Sequence, residues 1–348
     1  MMMWWRFGLP FLVSWGVATV LTPVVIRLYQ KLGWLDDPKK SDHPKVVHTY
    51  PVPRGGGIPI GIAVVMSSLV FLGMDRHVIG ILAGVVVVVV MGMVDDRLNL
   101  NPYWRLGLGV AAAGIVVASG IGINFVTNPF GGVIELSRGV ADIFAIVWIV
   151  WLMNIVNWSK GVDGQLPGIV VIAAVTIAIL AERFSADVTQ WPVTVLAMVV
   201  AGAYAGFLVF NVYPQKIMPG YGGGALGGYL LAVLAILSTA KVGTALVVLG
   251  VPMVDAVYVV VRRVWAGKSP VWGDRSHLHH QLLDLGWGKR RVAVFYWGVT
   301  AVLGLVALRL NAQQKFYTIV TVMVLVGGFL LWIKHWSFWR VQPGRDKP

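Results

Sequence analysis

Long apolar stretches constrain this chain more than any other feature. About eleven of them reach roughly 17 to 25 residues, the length that crosses the hydrocarbon core of a bilayer as a helix. Hydrophobic residues make up 57% of the chain and mean hydropathy is +0.77, which excludes an ordinary soluble domain. The stretches lie near 8–29, 57–74, 78–94, 103–120, 139–157, 168–182, 193–211, 225–238, 242–261, 292–309 and 317–333.

We therefore predict an all-α polytopic membrane protein of about eleven transmembrane helices, or ten if a short stretch does not cross. No intervening segment is long enough for a soluble domain, so residues 1–348 are predicted to form a single transmembrane domain. The first stretch lacks a small-residue cleavage site, which indicates an uncleaved helix. The chain has no cysteine, which excludes disulfides and thiolate sites.

Lysine and arginine are distributed unevenly between the two sides that these stretches define. With eleven crossings, 21 of the 28 basic residues fall on one side, which the positive-inside rule makes the cytoplasm. The N-terminus is then outside and the C-terminus inside. The net charge of +13 is mainly a topology signal, and attraction to anionic lipid head groups is secondary, so no nucleic-acid partner is expected.

The polar segments that could carry chemistry all fall on the predicted cytoplasmic side, near 31–56, 95–102, 158–167, 212–224 and 264–291. A transporter or channel would carry polar groups near the middle of the bilayer, where its substrate crosses. Here the apolar stretches are almost free of charge except near their ends. This pattern favours an enzyme that joins a cytosolic substrate to a lipid one.

An acid pair, Asp95 and Asp96, ends the third stretch. Neighbouring positions on a helix point about 100° apart, so one carboxylate can bind a metal or take a proton while the other faces its own partner. A solvated helix end is the alternative, although acids at a helix C-terminus oppose the macrodipole.

The segment "NIVNWSKGVDG" ends the fifth stretch in polar residues. Asn154 and Asn157 lie three apart on one helical face, and Asp163 follows between glycines. Amide side chains can both donate and accept hydrogen bonds, and glycines let the backbone approach a ligand closely, so the segment suits a ligand site. Helix capping is the alternative, but it accounts for only one asparagine.

The run "HLHH" supplies three imidazoles. In a helix, His277 and His280 would share a face and His279 would point elsewhere, which disfavours a three-histidine zinc site. With Arg275 nearby, these side chains suit phosphate oxygens, although a solvated basic loop is also open.

Two glycine-rich segments precede apolar stretches, one after Arg54 and one around Gly220. The first suits a rigid turn equally well. The second, "MPGYGGGALGG", suits either a phosphate at a helix N-terminus or close helix packing. Asp255, inside the ninth stretch, needs a partner that the sequence does not identify.

In order and spacing, these segments resemble the polyprenyl-phosphate N-acetylhexosamine-1-phosphate transferases over nearly the whole chain. "DRSHLHH", from Asp274, is similar to the branch that makes lipid-linked N-acetylglucosamine, whereas the phospho-N-acetylmuramoyl-pentapeptide branch usually shows a different histidine run. The remaining matching positions are Asp37, Pro38, His48, Pro51, Pro53, Arg54, Gly56 and Gly57; Asp95 and Asp96; Asn154, Asn157, Asp163 and Gly164; and Phe210, Asn211 and Pro214.

The resemblance implies transfer of a sugar 1-phosphate, most simply N-acetylglucosamine 1-phosphate, from a UDP-sugar to undecaprenyl phosphate, with release of UMP and normally with Mg²⁺. It implies a multi-pass protein of the bacterial cytoplasmic membrane, among membrane lipid, with the site facing the cytoplasm. Membrane enzymes of this size often dimerise, so a homodimer stays open. Phospho-N-acetylmuramoyl-pentapeptide transfer in peptidoglycan synthesis stays open as an alternative.

By the same resemblance, the acid pair handles the acceptor phosphate or its proton, in interchangeable roles. Uracil contacts are expected from Asp163 and Asn211, and phosphate contacts from Arg275, His277, His279 and His280. The further expected substrate-binding residues are Arg54, Asn154, Met218, Gly220 and Tyr221, and the expected metal ligands are Asn157 and Asp96.

Three positions depart from the family pattern. Lys160 replaces an aspartate, Tyr221 replaces the metal-binding aspartate, and Met218 replaces the aromatic that usually stacks on uracil. The first two changes add about three positive charges to the site. Three hypotheses follow: Lys160 supplies charge that Mg²⁺ provides elsewhere; Asp95, Asp96 or Asn157 still holds a metal; or the chain binds lipid phosphate or nucleotide without catalysis.

Overall fold

The computed structural model describes residues 3–40, 47–183, 191–238, 241–270, 272 and 275–340. Within these residues the chain is a bundle of α-helices with two short antiparallel hairpins. The helices are α1 Leu9–Leu32, α2 Gly57–Phe71, α3 Arg76–Leu98, α4 Pro102–Ala118, α5 Arg138–Trp158, α6 Gln165–Arg183, α7 Trp191–Asn211, α8 Gly220–Leu237, α9 Lys241–Val248, α10 Gly250–Trp265, α11 Leu278–Asp284, α12 Lys289–Ala307 and α13 Ala312–Arg340.

Every predicted apolar stretch coincides, to within three residues at its ends, with part of one of these helices or, for 242–261, of the pair α9 and α10. Eight helices of the described chain are long and apolar enough to cross a membrane, and α9 with α10 would make a ninth span bent by 85°. The apolar helices α2 and α4 are shorter, at 15 and 17 residues. The prediction of an all-α polytopic membrane protein is confirmed, while the number of crossings and their orientation stay predictions.

Helix α8 lies at the centre of the bundle, buried from Gly220 to Ala235 and packed against α5 and α3. Its glycines permit this position. A Cβ atom on Gly92 would collide with the Cα of Gly222, and one on Gly57 would lie 2.7 Å from the backbone N of Gly223. The glycine row therefore serves close helix packing, as small residues do in membrane bundles.

The polar segments meet at one end of the bundle, which we call the polar end. It comprises the C-terminal ends of α3 and α5 and the N-terminal ends of α6 and α8, with the hairpin of β1 (Leu35–Asp36) and β2 (Val52–Pro53) beside them. The second hairpin, β3 (Phe125–Thr127) with β4 (Val133–Glu135), joins the other ends of α4 and α5.

The contact between α3 and α8 can be tested with one added methyl group. We expect Gly92→Ala to lower the free energy of unfolding by about 1 to 3 kcal/mol, because the new Cβ forces two backbones apart. Gly107→Ala in α4 is the matched control, since a Cβ there meets nothing within 4 Å. Thermal unfolding of the purified protein in detergent measures both. Equal stability of the two variants would contradict the packing role.

Candidate active site

The two carboxylates of the acid pair point to different partners, as helical geometry predicts. Asp95 is fully buried, and its Oδ1 accepts hydrogen bonds from Arg105 Nε at 2.6 Å and from the backbone N of Leu100 at 3.1 Å. Asp96 Oδ2 accepts from the Tyr29 hydroxyl at 3.2 Å. A solvated helix end does not describe Asp95. In the described part of the chain, Asp95 Oδ2 and Asp96 Oδ1 are buried without a hydrogen-bond partner.

Lys160 connects the end of α5 to the start of α8. Its Nζ donates to Asn157 Oδ1 at 2.7 Å and to the carbonyl of Gly220 at 2.8 Å. Gly220 has a φ of +65°, which favours glycine, and a Cβ there would collide with the carbonyl oxygen of Arg54 and lie 2.7 Å from Asp96 Oδ1. Lys160 and the acid pair therefore share one compact site.

The ring of Tyr221 lies beside two cations of this site. Only 4% of the residue is exposed, and its ring centroid is 5.3 Å from Arg105 Cζ and 6.0 Å from Lys160 Nζ. An aromatic face at this distance attracts cations. Tyr221 thus stabilises positive charge at a position where the resemblance implies a carboxylate.

The surroundings of Lys160 disfavour its charged form. Burial, and after it the positive charge of Arg54, lowers the pKa of Lys160 from 10.5 to about 7. Asp95 raises this pKa, Arg105 lowers it and Asp96 raises it. We call Arg54, Arg105 and Lys160 the cation cluster.

Backbone pairing brings Arg54 to this site. The backbone N of Met218 donates to the carbonyl of Pro53 at 2.8 Å, and the N of Gly56 donates to the carbonyl of Met218 at 3.0 Å. The glycine-rich segment after Arg54 is thus joined to the segment that begins α8. Met218 is partly buried there.

Asp163 and Asn211 join two loops of the polar end. Asn211 Oδ1 accepts from Gly164 N at 3.1 Å, while its Nδ2 donates to Gln215 Oε1 at 3.0 Å and to a backbone carbonyl at 2.8 Å. Asp163 Oδ2 accepts from Gln215 N at 3.1 Å, and Lys289 Nζ lies 3.8 Å from its Oδ1. Both N–H groups of the Asn211 amide are in use, so this residue holds the loops together.

Asp255 is the partner of the first histidine. His277 immediately precedes α11 and is 5% exposed, with Nδ1 2.9 Å from Asp255 Oδ2. The backbone N of Leu278 donates to Asp255 Oδ1 at 2.8 Å. A carboxylate on one ring nitrogen fixes the tautomer and leaves Nε2 for other contacts.

The other two histidines pack with His277 in a different arrangement from the one predicted for a helix. The rings of His277 and His279 stack, 5.5 Å apart with an interplanar angle of 7°, and the His280 ring centroid is 4.3 Å from that of His279. His277 has extended backbone before the helix, so the expected face shared with His280 does not form. A Cβ on Gly161 would collide with His279, which places the histidines against the turn that carries Lys160.

Two predicted site residues make contacts elsewhere. Asn154 Nδ2 donates to the carbonyl of Val150, one turn back in α5, at 2.8 Å. The exposed side chain of Arg275 forms an ion pair with Asp284 at 2.7 Å. Position 274 lies outside the described residues. Conversely, two residues that the sequence analysis did not single out belong to the site. Arg105 donates to Asp95, and Tyr29 donates to Asp96.

A metal site is not evident from the side chains. Within the described ranges, no group of three or more His, Cys, Asp or Glu residues is placed to hold a metal ion. Of the two expected ligands, Asn157 already accepts a hydrogen bond from Lys160, and Asp96 lies beside this lysine.

Residues 78–239 match glycosyl transferase family 4. A phospho-N-acetylmuramoyl-pentapeptide-transferase of Anoxybacillus flavithermus is 30% identical to this chain, over 86% of the chain and 95% of the relative. The chain belongs to glycosyl transferase family 4. The family makes it a membrane-embedded glycosyl-1-phosphate transferase.

Two further relatives carry other names. A "probable undecaprenyl-phosphate N-acetylglucosaminyl 1-phosphate transferase" of Bacillus subtilis is 27% identical over 92% of this chain and 89% of the relative. A decaprenyl-phosphate N-acetylglucosaminephosphotransferase of Mycobacterium tuberculosis is 29% identical over 89% of this chain and 83% of the relative.

The contact between Asp255 and His277 generates a prediction about positioning. We expect Asp255→Asn to lower kcat of the transferase about 10- to 100-fold, because the amide no longer fixes the His277 ring. The double variant Asp255→Asn with His277→Ala should have a kcat only slightly below that of His277→Ala alone, since the two residues act as a unit. Steady-state kinetics over a pH range measures this. Additive losses in the double variant, or an unchanged pH profile, would contradict the positioning role.

Proposed function

We propose that this family 4 enzyme transfers N-acetylglucosamine 1-phosphate from a UDP-sugar to undecaprenyl phosphate and releases UMP. The observation that carries the proposal is the joining of the cation cluster to the acid pair at one end of an apolar helix bundle. Such a site suits phosphate groups of a lipid and of a water-soluble donor at once. The N-acetylglucosamine transferases among the relatives support this choice of sugar.

The reaction requires positioning and charge neutralisation more than covalent participation by the protein. A phosphate oxygen of the lipid attacks the donor phosphorus that carries the sugar. The new P–O bond forms as the bond to the UMP oxygen breaks, and UMP leaves with that electron pair. The products are UMP and a lipid diphosphate that carries the sugar.

The acid pair is assigned to the acceptor side of this reaction. Asp95 accepts a hydrogen bond from the charged Arg105. In the described structure, the hydrogen bond to the side chain of Asp96 comes from a neutral group, the Tyr29 hydroxyl. A buried oxygen on each carboxylate stays available to a proton of the lipid phosphate. The cation cluster then neutralises the charge that moves onto UMP.

The proposal places the polar end at the cytoplasmic face of a bacterial inner membrane, where a UDP-sugar arrives from water. Trp104 and Trp265 lie at this end and are largely exposed, as aromatic residues at a membrane interface are. The lipid acceptor would present its phosphate at the same depth.

A transfer assay with two labelled donors tests this function. We expect purified protein with undecaprenyl phosphate to form labelled lipid and UMP from UDP-N-acetylglucosamine, and not from UDP-N-acetylmuramoyl-pentapeptide. Asp96→Asn should lower the rate at least about 100-fold, since it removes the proton acceptor. Lys31→Ala, an exposed lysine at the end of α1, is the control and should keep the wild-type rate.

Each other result of this assay has a definite meaning. Label taken only from the pentapeptide donor would replace the proposed reaction by the peptidoglycan one. Absence of UMP from both donors would remove both reactions and leave binding of lipid phosphate or nucleotide as the role of the site.

A further inference from the structure

Positive charge predominates among the ionisable groups at the centre of the site. The cation cluster comprises three side chains, and the facing acids are Asp95 and Asp96, so these five groups carry +1 in their ionised forms. Protein sites for Mg²⁺ are built from carboxylates, carbonyls and water. The cation cluster gives this site the opposite balance of charge.

Lys160 also occupies one of the two expected metal ligands, Asn157, together with a nearby backbone carbonyl. Asn157 Oδ1 and the Gly220 carbonyl both accept hydrogen bonds from its Nζ. Mg²⁺ binds oxygen at about 2.0 to 2.1 Å in octahedral geometry, and it would be repelled by an ammonium bound to the same two atoms. The residues present therefore do not fit Mg²⁺ at this position.

The ammonium has the donors that a diphosphate requires. A lysine carries three N–H bonds, of which two point to Asn157 and Gly220 in the described structure, so the third is available to an incoming oxygen. Arg54 and Arg105 add positive charge nearby, and the face of Tyr221 supports the ammonium without neutralising it. A compact ammonium is an effective phosphate partner as a point charge.

We propose that Lys160 is the resident cation of this site, contacting the donor diphosphate directly, so that transfer requires no divalent metal there. This inference rests on the proposed function. Within it, Tyr221 and Lys160 act together: one removes a carboxylate from the site and the other supplies a fixed cation.

Chelation of metal and substitution of Lys160 test the proposal together. We expect wild-type protein to keep its rate within about twofold in EDTA, with no gain from added Mg²⁺. Lys160→Ala should lower kcat about 100- to 1000-fold, the loss typical of one charge-stabilising group. Lys160→Arg should recover most of the rate because it keeps the charge, and Lys31→Ala is again the control. Wild-type activity that EDTA abolishes and Mg²⁺ restores would falsify the proposal, as would a wild-type rate in Lys160→Ala.

The reverse experiment is to build the metal site. We expect the double variant Lys160→Asp with Tyr221→Asp to bind Mn²⁺ in paramagnetic resonance titrations and to need Mg²⁺ for activity. Wild-type protein should bind no Mn²⁺ at the site. Tight Mn²⁺ binding by the wild type, lost in Asp96→Asn, would show that the acid pair still holds a metal and would overturn the proposal. Thermal unfolding of each variant verifies that it is folded.

Binding of UDP separates this proposal from the proposed function. If no donor is turned over, calorimetry in EDTA still tests Lys160: we expect UDP to bind the wild type and to bind Lys160→Ala at least about tenfold more weakly. UDP binding that requires Mg²⁺, or that is equally tight in the wild type and Lys160→Ala, overturns the proposal that Lys160 is the resident cation. Metal-free, Lys160-dependent UDP binding without transfer upholds it and removes only the proposed reaction.

Discussion

The contact of α8 with α2 and α3 through bare backbone determines the rest of the structure. Because Gly222 has no side chain, the glycines at 57 and 92 can approach it, and the N-terminus of α8 enters the middle of the polar end. The carbonyl of Gly220 then meets Lys160 from α5, while Asp96 from α3 lies beside it. A side chain at any of these glycines would separate the helices that carry the site.

Each of three buried ionisable side chains at the polar end has its own hydrogen-bond partners. Asp95 is paired through Oδ1 with Arg105 and a backbone N–H, Asp255 with His277 and a backbone N–H, and Lys160 with neutral oxygens. Buried charges are costly unless they are paired and hydrogen-bonded. The cation cluster exceeds the carboxylates it faces, and such an imbalance favours anionic ligands over cationic ones at the site.

Local patterns predicted the features that depend on one helix, and failed where two helices meet. Divergence of the acid pair follows from helical geometry alone, and the apolar lengths located the eight helices of the described chain that are long and apolar enough to cross a membrane. Arg105 as the partner of Asp95 could not be read, because the left-handed turn at Asn99 sets how α4 returns to α3. Likewise, the sequence left open whether the glycine row binds phosphate or serves helix packing. Only the close contact of Gly222 with the glycines of α2 and α3 shows the packing role. The stack of His277 on His279 depended on where α11 begins.

The protonation of Lys160 links the fold to the substrate. Its pKa falls from 10.5 to about 7, mainly by burial, so between these values the unfolded chain binds more protons than the folded one and stability rises with pH. The fold therefore disfavours the ammonium to which the proposal gives the role of resident cation. A diphosphate beside Nζ acts in the other direction, since a nearby negative charge raises the pKa of a lysine. The charged form is then most stable when substrate is bound, so part of the cost of burying this cation is offset only when the anion arrives.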